Sequence, residues 1–231
     1  KIMVDLVLIP ARAGSKGLKH KNLMKFRGKP LIEHTMIQCK NAQLKNCFVL
    51  VSSDSNKIEN IAKFYGYHHN YKRPKMISND NTNIVNTVNH AVKWVEKNHK
   101  IKINNIILLQ PTSPIRKSSD IKKAHNIFLK EKINSLISVT PAIQSPNEIV
   151  KINNKNQISL FIKQEKAYRR QQQKDKAYFI DGSIYIASNK FLKKINSFFN
   201  KNSYPFIINK KYSIDIDYIE DFIVAEKIFN L

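Results

Sequence analysis

LIPARAGSKGLKHKNLMKFRGKP, residues 8–30, is the stretch from which the chain is best read. An apolar run over residues 4–9 stops at Pro10. The loop that follows holds Arg12, Ser15, Lys16, Lys19, Lys21 and Asn22, with Gly14 and Gly17 three apart. The chain has five glycines, and three of them, Gly14, Gly17 and Gly28, fall in this stretch. A strand followed at once by a cationic, glycine-bearing loop is suited to phosphate: glycine lets backbone N–H groups come close to an anion, and Lys and Arg neutralise it. An ordinary strand-to-helix turn in a lysine-rich protein would read the same way. The loop is not a Walker A loop, because no GK[ST] follows the first glycine, and the GxGxxG dinucleotide pattern is absent.

Outward from this loop, short apolar runs alternate with amphipathic stretches, the pattern of a mostly parallel, Rossmann-like α/β sheet flanked by helices. Residues 4–9 predict the first strand, and residues 30–42 a helix with Pro30 in its first turn. Residues 48–51 predict a second strand ending in Ser52-Ser53-Asp54-Ser55, with Asp54 or Ser55 capping a helix that runs to Tyr65. Residues 84–97 and 118–131 predict helices, and 106–109 and 135–140 strands. Ligands of open α/β sheets sit beyond the carboxyl ends of the strands, so the loops at 10–22, 52–54 and 110–116 are expected to converge. Residues 141–175 are polar, with two weakly alternating runs (148–152 and 157–162) around 153–156. They predict a hairpin, or else a surface insertion.

At 231 residues with 42% hydrophobic content, the chain can bury a full core as one α/β domain. No apolar run approaches a membrane span and no signal-peptide pattern opens the sequence. Cys39 and Cys47 lack metal-ligand spacing and read as free thiols, so a cytoplasmic location with no membrane partner is expected. The net charge of +23 raises the possibility of nucleic-acid binding. Against it, only six of the 40 basic residues are arginines, and the lysines are scattered among Asn and Ile without a zinc-finger, RNP or basic-helix pattern.

Ser213-Ile214-Asp215-Ile216-Asp217 is the second informative stretch. On a strand, Asp215 and Asp217 would share one face and Ile214 and Ile216 the other. Two carboxylates this close repel unless a cation lies between them, and Mg²⁺ takes one or two carboxylates together with phosphate oxygens. Asp217 could instead cap the next helix, paired with Glu220. His20, His68 and His69 offer no metal geometry, and Ser15 has no His–Asp partnership.

The ordered set Ile9-Pro10-Ala11-Arg12 with Gly14-Ser15-Lys16-Gly17, Lys21-Asn22, Gly28-Lys29-Pro30-Leu31-Ile32, Arg73-Pro74 with Asp80, Leu109-Gln110-Pro111-Thr112-Ser113-Pro114-Ile115-Arg116, Arg169 to Gln171, Asp181-Gly182-Ser183-Ile184-Tyr185 and Asp215-Ile216-Asp217 resembles the N-acylneuraminate cytidylyltransferases, including those acting on legionaminic and pseudaminic acids. Five of the six arginines lie in these segments, where planar, bidentate recognition of phosphate or carboxylate is needed.

The resemblance implies a Mg²⁺-dependent cytidylyltransferase that joins CTP to a nonulosonic acid, releasing pyrophosphate. A related enzyme for another sugar, such as Kdo, is the alternative. It implies Arg12, Lys16 and Lys21 as catalytic cations and Asp215 and Asp217 as catalytic metal ligands. Nucleotide contacts would come from Ala11, Arg12, Gly14, Ser15, Asn22, Arg73 and Asp80. Sugar contacts would come from Gln110, Arg169, Arg170, Asp181 and Tyr185. Asp181 departs from the family's usual Asn, which loses an amide donor and adds a charge. The resemblance further implies a homodimer, with 1–140 plus 176–231 as the nucleotidyltransferase core and 141–175 as a dimerisation insertion.

Overall fold

The computed structural model of the protein describes residues 2–14, 17–79, 81–162 and 176–229. The chain opens with strand β1 (Met3–Pro10), a two-residue ladder of β2 (Lys25–Phe26) and β3 (Lys29–Pro30), and helix α1 (Leu31–Ala42). It continues through β4 (Cys47–Ser52), α2 (Asn56–Phe64), α3 (Ile84–Asn98), β5 (Lys102–Leu108), α4 (Ser118–Lys130) and β6 (Ser135–Pro141). A small hairpin, β7 (Val150–Ile152) and β8 (Ile158–Leu160), precedes the long β9 (Tyr178–Ser188). Helix α5 (Asn189–Ile195), β10 (Tyr204–Ile207) and α6 (Ile219–Phe229) complete it.

The central sheet has six strands in the order β10-β6-β9-β5-β1-β4. All run parallel except β9, which is antiparallel to both β5 and β6. This is the mostly parallel α/β sheet that the alternating pattern predicts. The period of two along each strand divides the core. Val7 and Ile9 of β1, with Ile107 of β5, face α1, α2 and α4. Leu6, Leu8, Ile106 and Leu108 face α3 and α5. Strands buried on both faces are largely apolar, which is why residues 6–9 and 106–109 read as unbroken runs. A buried Asp5 carboxylate pins α4 to the sheet: it accepts from Asn105 Nδ2 at 2.8 Å, and His125 Nε2 lies 2.7 Å away.

Strand β1 leads first to β4 on one side, and the chain then returns to β5 on the other. This reversal opens a crevice at the carboxyl end of β1 and β5. Because β9 runs antiparallel, its first residues, not its last, reach the same end of the sheet.

Several local expectations are corrected. Asp181-Gly182, expected only as part of the sugar site, is a bulge within strand β9. Pairing with β6 shifts register between Ile137 and Val139, and Gly182 takes φ +75°. Residues 213–217 form no strand, although Ile216 is buried while Asp215 and Asp217 are exposed. Their order comes from Ile216 N–H donating to the Thr112 carbonyl at 2.8 Å. Helix α1 begins after Pro30, which pairs with Lys25. Asp54 does not cap α2; its carboxylate accepts the Ala13 N–H at 2.7 Å. Among the described residues no helix is long and apolar enough to cross a membrane.

Candidate active site

The crevice holds a cavity of about 380 Å³. Four separate segments wall it: Pro10, Arg12, Gly14, Lys21 and Asn22; Arg73, Asn79, Thr82 and Ile84; Gln110, Pro111 and Thr112; and Asp215 and Asp217. The loop after β1 is tied down from several sides. Ala11 N–H donates to the Ser52 carbonyl at 2.8 Å, Asn22 Nδ2 donates to the Arg12 carbonyl at 3.1 Å, and Asp54 takes the Ala13 N–H. Ala11 itself is fully buried, so its side chain belongs to the core beside the cavity.

The loop also closes onto the acidic segment. Lys21 Nζ donates to the Ile216 carbonyl at 2.6 Å and to Asp217 Oδ1 at 2.9 Å. Gly17 packs against the Asp217 backbone so closely that a Cβ there would lie 2.3 Å from the carbonyl oxygen. Gly14 has open space around it on the cavity side.

Arg73 is nearly buried and its guanidinium donates to the Ile77 carbonyl. Burial lowers its pKa; Tyr71 and Asp54 oppose the shift, and nearby Arg12 adds to it. Two guanidiniums on one cavity wall make an anion-seeking surface. Asp215 is pushed the other way. Desolvation in the concave site raises its pKa, Asp217 and Asp181 add to the rise, and Lys21 opposes it. Two crowded carboxylates at the edge of a cationic cavity are a fitting seat for a divalent cation that also bonds to phosphate oxygens. The capping role considered for Asp217 falls elsewhere: Asp221 Oδ2 accepts the N–H groups of Asp217 at 3.0 Å and Tyr218 at 2.8 Å, which leaves the Asp217 carboxylate to the cavity.

A second cavity of about 320 Å³ shares Ile84 and Gln110 with the first and is lined mainly by Val85, Ile180, Tyr185, Phe198 and Phe199, with Asn83 and Asn196 at hand. Burial raises the Tyr185 phenol to about 12, helped by Asp181 and Asp215. Asp181 lines neither cavity and turns its carboxylate inward. Arg116 is also interior: it donates to the carbonyls of Gln110 and Ser183 and to Thr35 and Gln38 side chains. Ser15, Lys16, Asp80, Arg169 and Arg170 lie outside the described residues.

Sequence reading missed Asn79, Thr82, Ile84 and Thr112 on the cavity wall, and Asp54 behind it. The first two sit in a run, Ser78 to Asn83, that looks like the chain's general Asn bias.

A family model described as Cytidylyltransferase matches residues 6–228. The CMP-N,N'-diacetyllegionaminic acid synthase of Legionella pneumophila is 32% identical, with 98% of this chain and 96% of that protein covered. The pseudaminic acid cytidylyltransferase of Campylobacter jejuni is 29% identical, covering 99% and 97%. Among solved structures, a CMP:2-keto-3-deoxy-manno-octonic acid synthetase complexed with CTP superposes with a TM-score of 0.66 over 100% of this chain and 99% of that one, at 17% identity. That likeness is one of fold.

Proposed function

This chain belongs to the cytidylyltransferase family, and from that premise we propose that it activates a nonulosonic acid, a sialic-acid-like sugar, with CTP to give a CMP-sugar and pyrophosphate. The observation that carries the reading is the single crevice in which a cationic loop, two arginines, a glutamine and a pair of carboxylates meet. Full-length relatives named for legionaminic and pseudaminic acids supply the sugar class.

In this reading the triphosphate lies along the 10–22 loop. Arg12 and Lys21 neutralise it, Gly14 leaves the backbone open to it, and Ser15 and Lys16 complete the set. Arg73 faces the nucleoside, with Asn79 and Thr82 offering amide and hydroxyl groups to the base edge and ribose, and Asp80 is assigned to the nucleotide on the strength of the resemblance. Asp215 and Asp217 would hold Mg²⁺, which when bound neutralises charge on the phosphates. Lys21 is paired with Asp217 and so stands between the carboxylates and the phosphate loop. Gln110 lines both cavities and would orient a sugar in the second toward the nucleotide in the first. The anomeric hydroxyl oxygen attacks the α-phosphorus. An O–P bond forms, the bond to the bridging oxygen breaks, pyrophosphate leaves, and the hydroxyl proton passes to solvent water. These residues contribute positioning and charge neutralisation, the main sources of rate in such transfers.

The reading extends to a homodimer built through 141–175, in which Arg169 and Arg170 reach toward the partner's sugar site. The exposed apolar side chains of the β7–β8 hairpin support this. A cytoplasmic setting, where CTP is available, suits the free thiols of Cys39 and Cys47.

The test is pyrophosphate release with CTP and Mg²⁺ over a panel of N-acetylneuraminic, legionaminic, pseudaminic and Kdo acceptors. Release with one nonulosonic acid, lost when UTP or ATP replaces CTP, is expected. Release with Kdo alone would overturn the sugar class, and no CTP binding would overturn the enzyme reading.

A further inference from the structure

Asp181 is 3% exposed, and its carboxylate is satisfied entirely by protein. Ser138 Oγ donates to Oδ1, Ser183 Oγ donates to Oδ2 at 2.9 Å, and the Ser183 N–H donates to Oδ1 at 3.2 Å. Ser138 in turn accepts the Ile184 N–H at 2.9 Å, which closes the network around the bulge of β9. Ser183 then passes the connection on, because its carbonyl accepts from Arg116. Arg116 is 2% exposed, and it donates hydrogen bonds to neutral acceptors on three different segments, Gln110, Thr35 with Gln38, and Ser183. A buried guanidinium without a counter-charge is costly; Asp181, held by the N–H and hydroxyl of the same Ser183 whose carbonyl Arg116 binds, is a buried carboxylate on its far side, and against the effect of burial Cys39 and then Asp181 favour the charged guanidinium.

The other side of the bulge faces the cavities. With φ +75°, Gly182 turns its Cα toward Asp215 and Tyr185: a Cβ there would sit 3.6 Å from Asp215 Oδ2 and 3.8 Å from Tyr185 Oη. One residue of the strand therefore points into the core while the next lies beside two cavity groups. A change at the inner residue is felt on the outer face through a single peptide unit.

We propose that Asp181 is a positioning residue: it is the buried counter-charge of Arg116, and through the β9 bulge it fixes Gln110, Tyr185 and Asp215 relative to one another without touching the sugar. This rests on the cytidylyltransferase reading for its catalytic consequence, although the charge pairing stands independently of it.

The test compares Asp181→Asn, Asp181→Ala, Arg116→Met and the double variant Asp181→Ala/Arg116→Met by thermal melting and steady-state kinetics. Asp181→Asn keeps the shape and an acceptor for the Ser183 N–H but removes the charge. We expect its kcat to fall about tenfold or more, with KM for CTP and for the sugar each within about threefold of wild type. We expect Asp181→Ala to lower Tm by roughly 10 °C, and the double variant to melt higher than that single variant because the stranded guanidinium is gone. Three results would overturn the proposal: a raised sugar KM at unchanged kcat, which would make Asp181 a direct contact; a lowered Tm with kcat and KM unchanged, which would make it merely structural; or additive Tm losses in the double variant. If wild type turned over no sugar with CTP, the functional reading would fall, while the Tm comparison would still decide the charge pair.

Discussion

Gly14 and Gly17 look alike in the sequence but play different parts. At Gly17 a Cβ would overlap the Asp217 carbonyl, whereas at Gly14 nothing lies within reach and φ is not positive. Gly17→Ala must therefore lift the phosphate loop from the acidic segment, separating groups that have to act together. An ångström of displacement at such a site can remove about 10²-fold in rate. We expect kcat for Gly17→Ala to fall by about that factor while Gly14→Ala melts like wild type; steady-state assays and thermal melts of both would check it. Asp215→Ala should abolish turnover, with circular dichroism and Tm close to wild type, because the side chain stands on the cavity wall and packs only lightly. Full activity in that variant would remove the divalent-cation role. At this scale the sequence was most legible where chemistry forces a residue type, as at Arg12, Lys21, Arg73, Gln110 and the two aspartates. It was silent on Asn79 and Thr82, because an Asn or Thr on a cavity wall has the same composition as one in solvent. The inward direction of Asp181 was not legible either, since the choice between inward and outward depends on the bulge and not on the residue.

At the scale of elements, what could be read followed from burial. Strands β1, β4, β5 and β6 are covered on both sides or nearly so, and their apolar runs showed through. Helices α1, α3 and α4 showed through their periodic apolar stripes. Strand β9 was not legible, because Asp-Gly in its middle is a turn signal and only its pairing with β5 and β6 reveals a bulge. Residues 213–217 alternate like a strand yet are held by one backbone bond to Thr112 and by the helix that follows. The start of α6 is therefore part of the site. Asp221 caps it by accepting the backbone N–H groups of Asp217 and Tyr218, so removing that cap frees the backbone that carries one of the two carboxylates proposed to hold the cation. Asp221→Ala is expected to lose about 1 kcal/mol, or about 2–4 °C in Tm. It should also raise the Mg²⁺ concentration needed for half-maximal rate, which a metal titration of the variant would measure. An unchanged metal requirement would confine Asp221 to helix capping.

Over the whole molecule, two features set conditions for function, one of them internal. Burial raises the thiols of Cys39 and Cys47 from 9.0 to about 11 and about 12, and the phenols of Tyr67 and Tyr185 from 10.0 to about 12. Each folded-state value lies above its unfolded one, so the stability these groups contribute is whole below pH 9 and is lost as pH climbs through 9 to 12. Thermal melts should be flat from neutral pH to about 9 and fall steeply beyond it. The second feature is external. In the β7–β8 hairpin, Ile152 pairs with Ile158 and Val150 with Leu160, and all four are exposed, the two isoleucines at 70% each. A two-stranded hairpin has too little core to hold such side chains in water, and an apolar patch of this kind marks an interface. The homodimer proposed above would use this patch, which precedes 163–175 with its Arg169 and Arg170 in the sequence. Ile152→Asp/Ile158→Asp should convert a dimer into a monomer in sedimentation at micromolar concentration while leaving the melt of the six-stranded sheet unchanged. If the arginines act across the interface, that monomer should lose sugar affinity but keep CTP affinity. A wild type that sediments as a monomer would remove both expectations at once, and a monomeric variant with wild-type sugar KM would leave the dimer but confine each active site to its own chain.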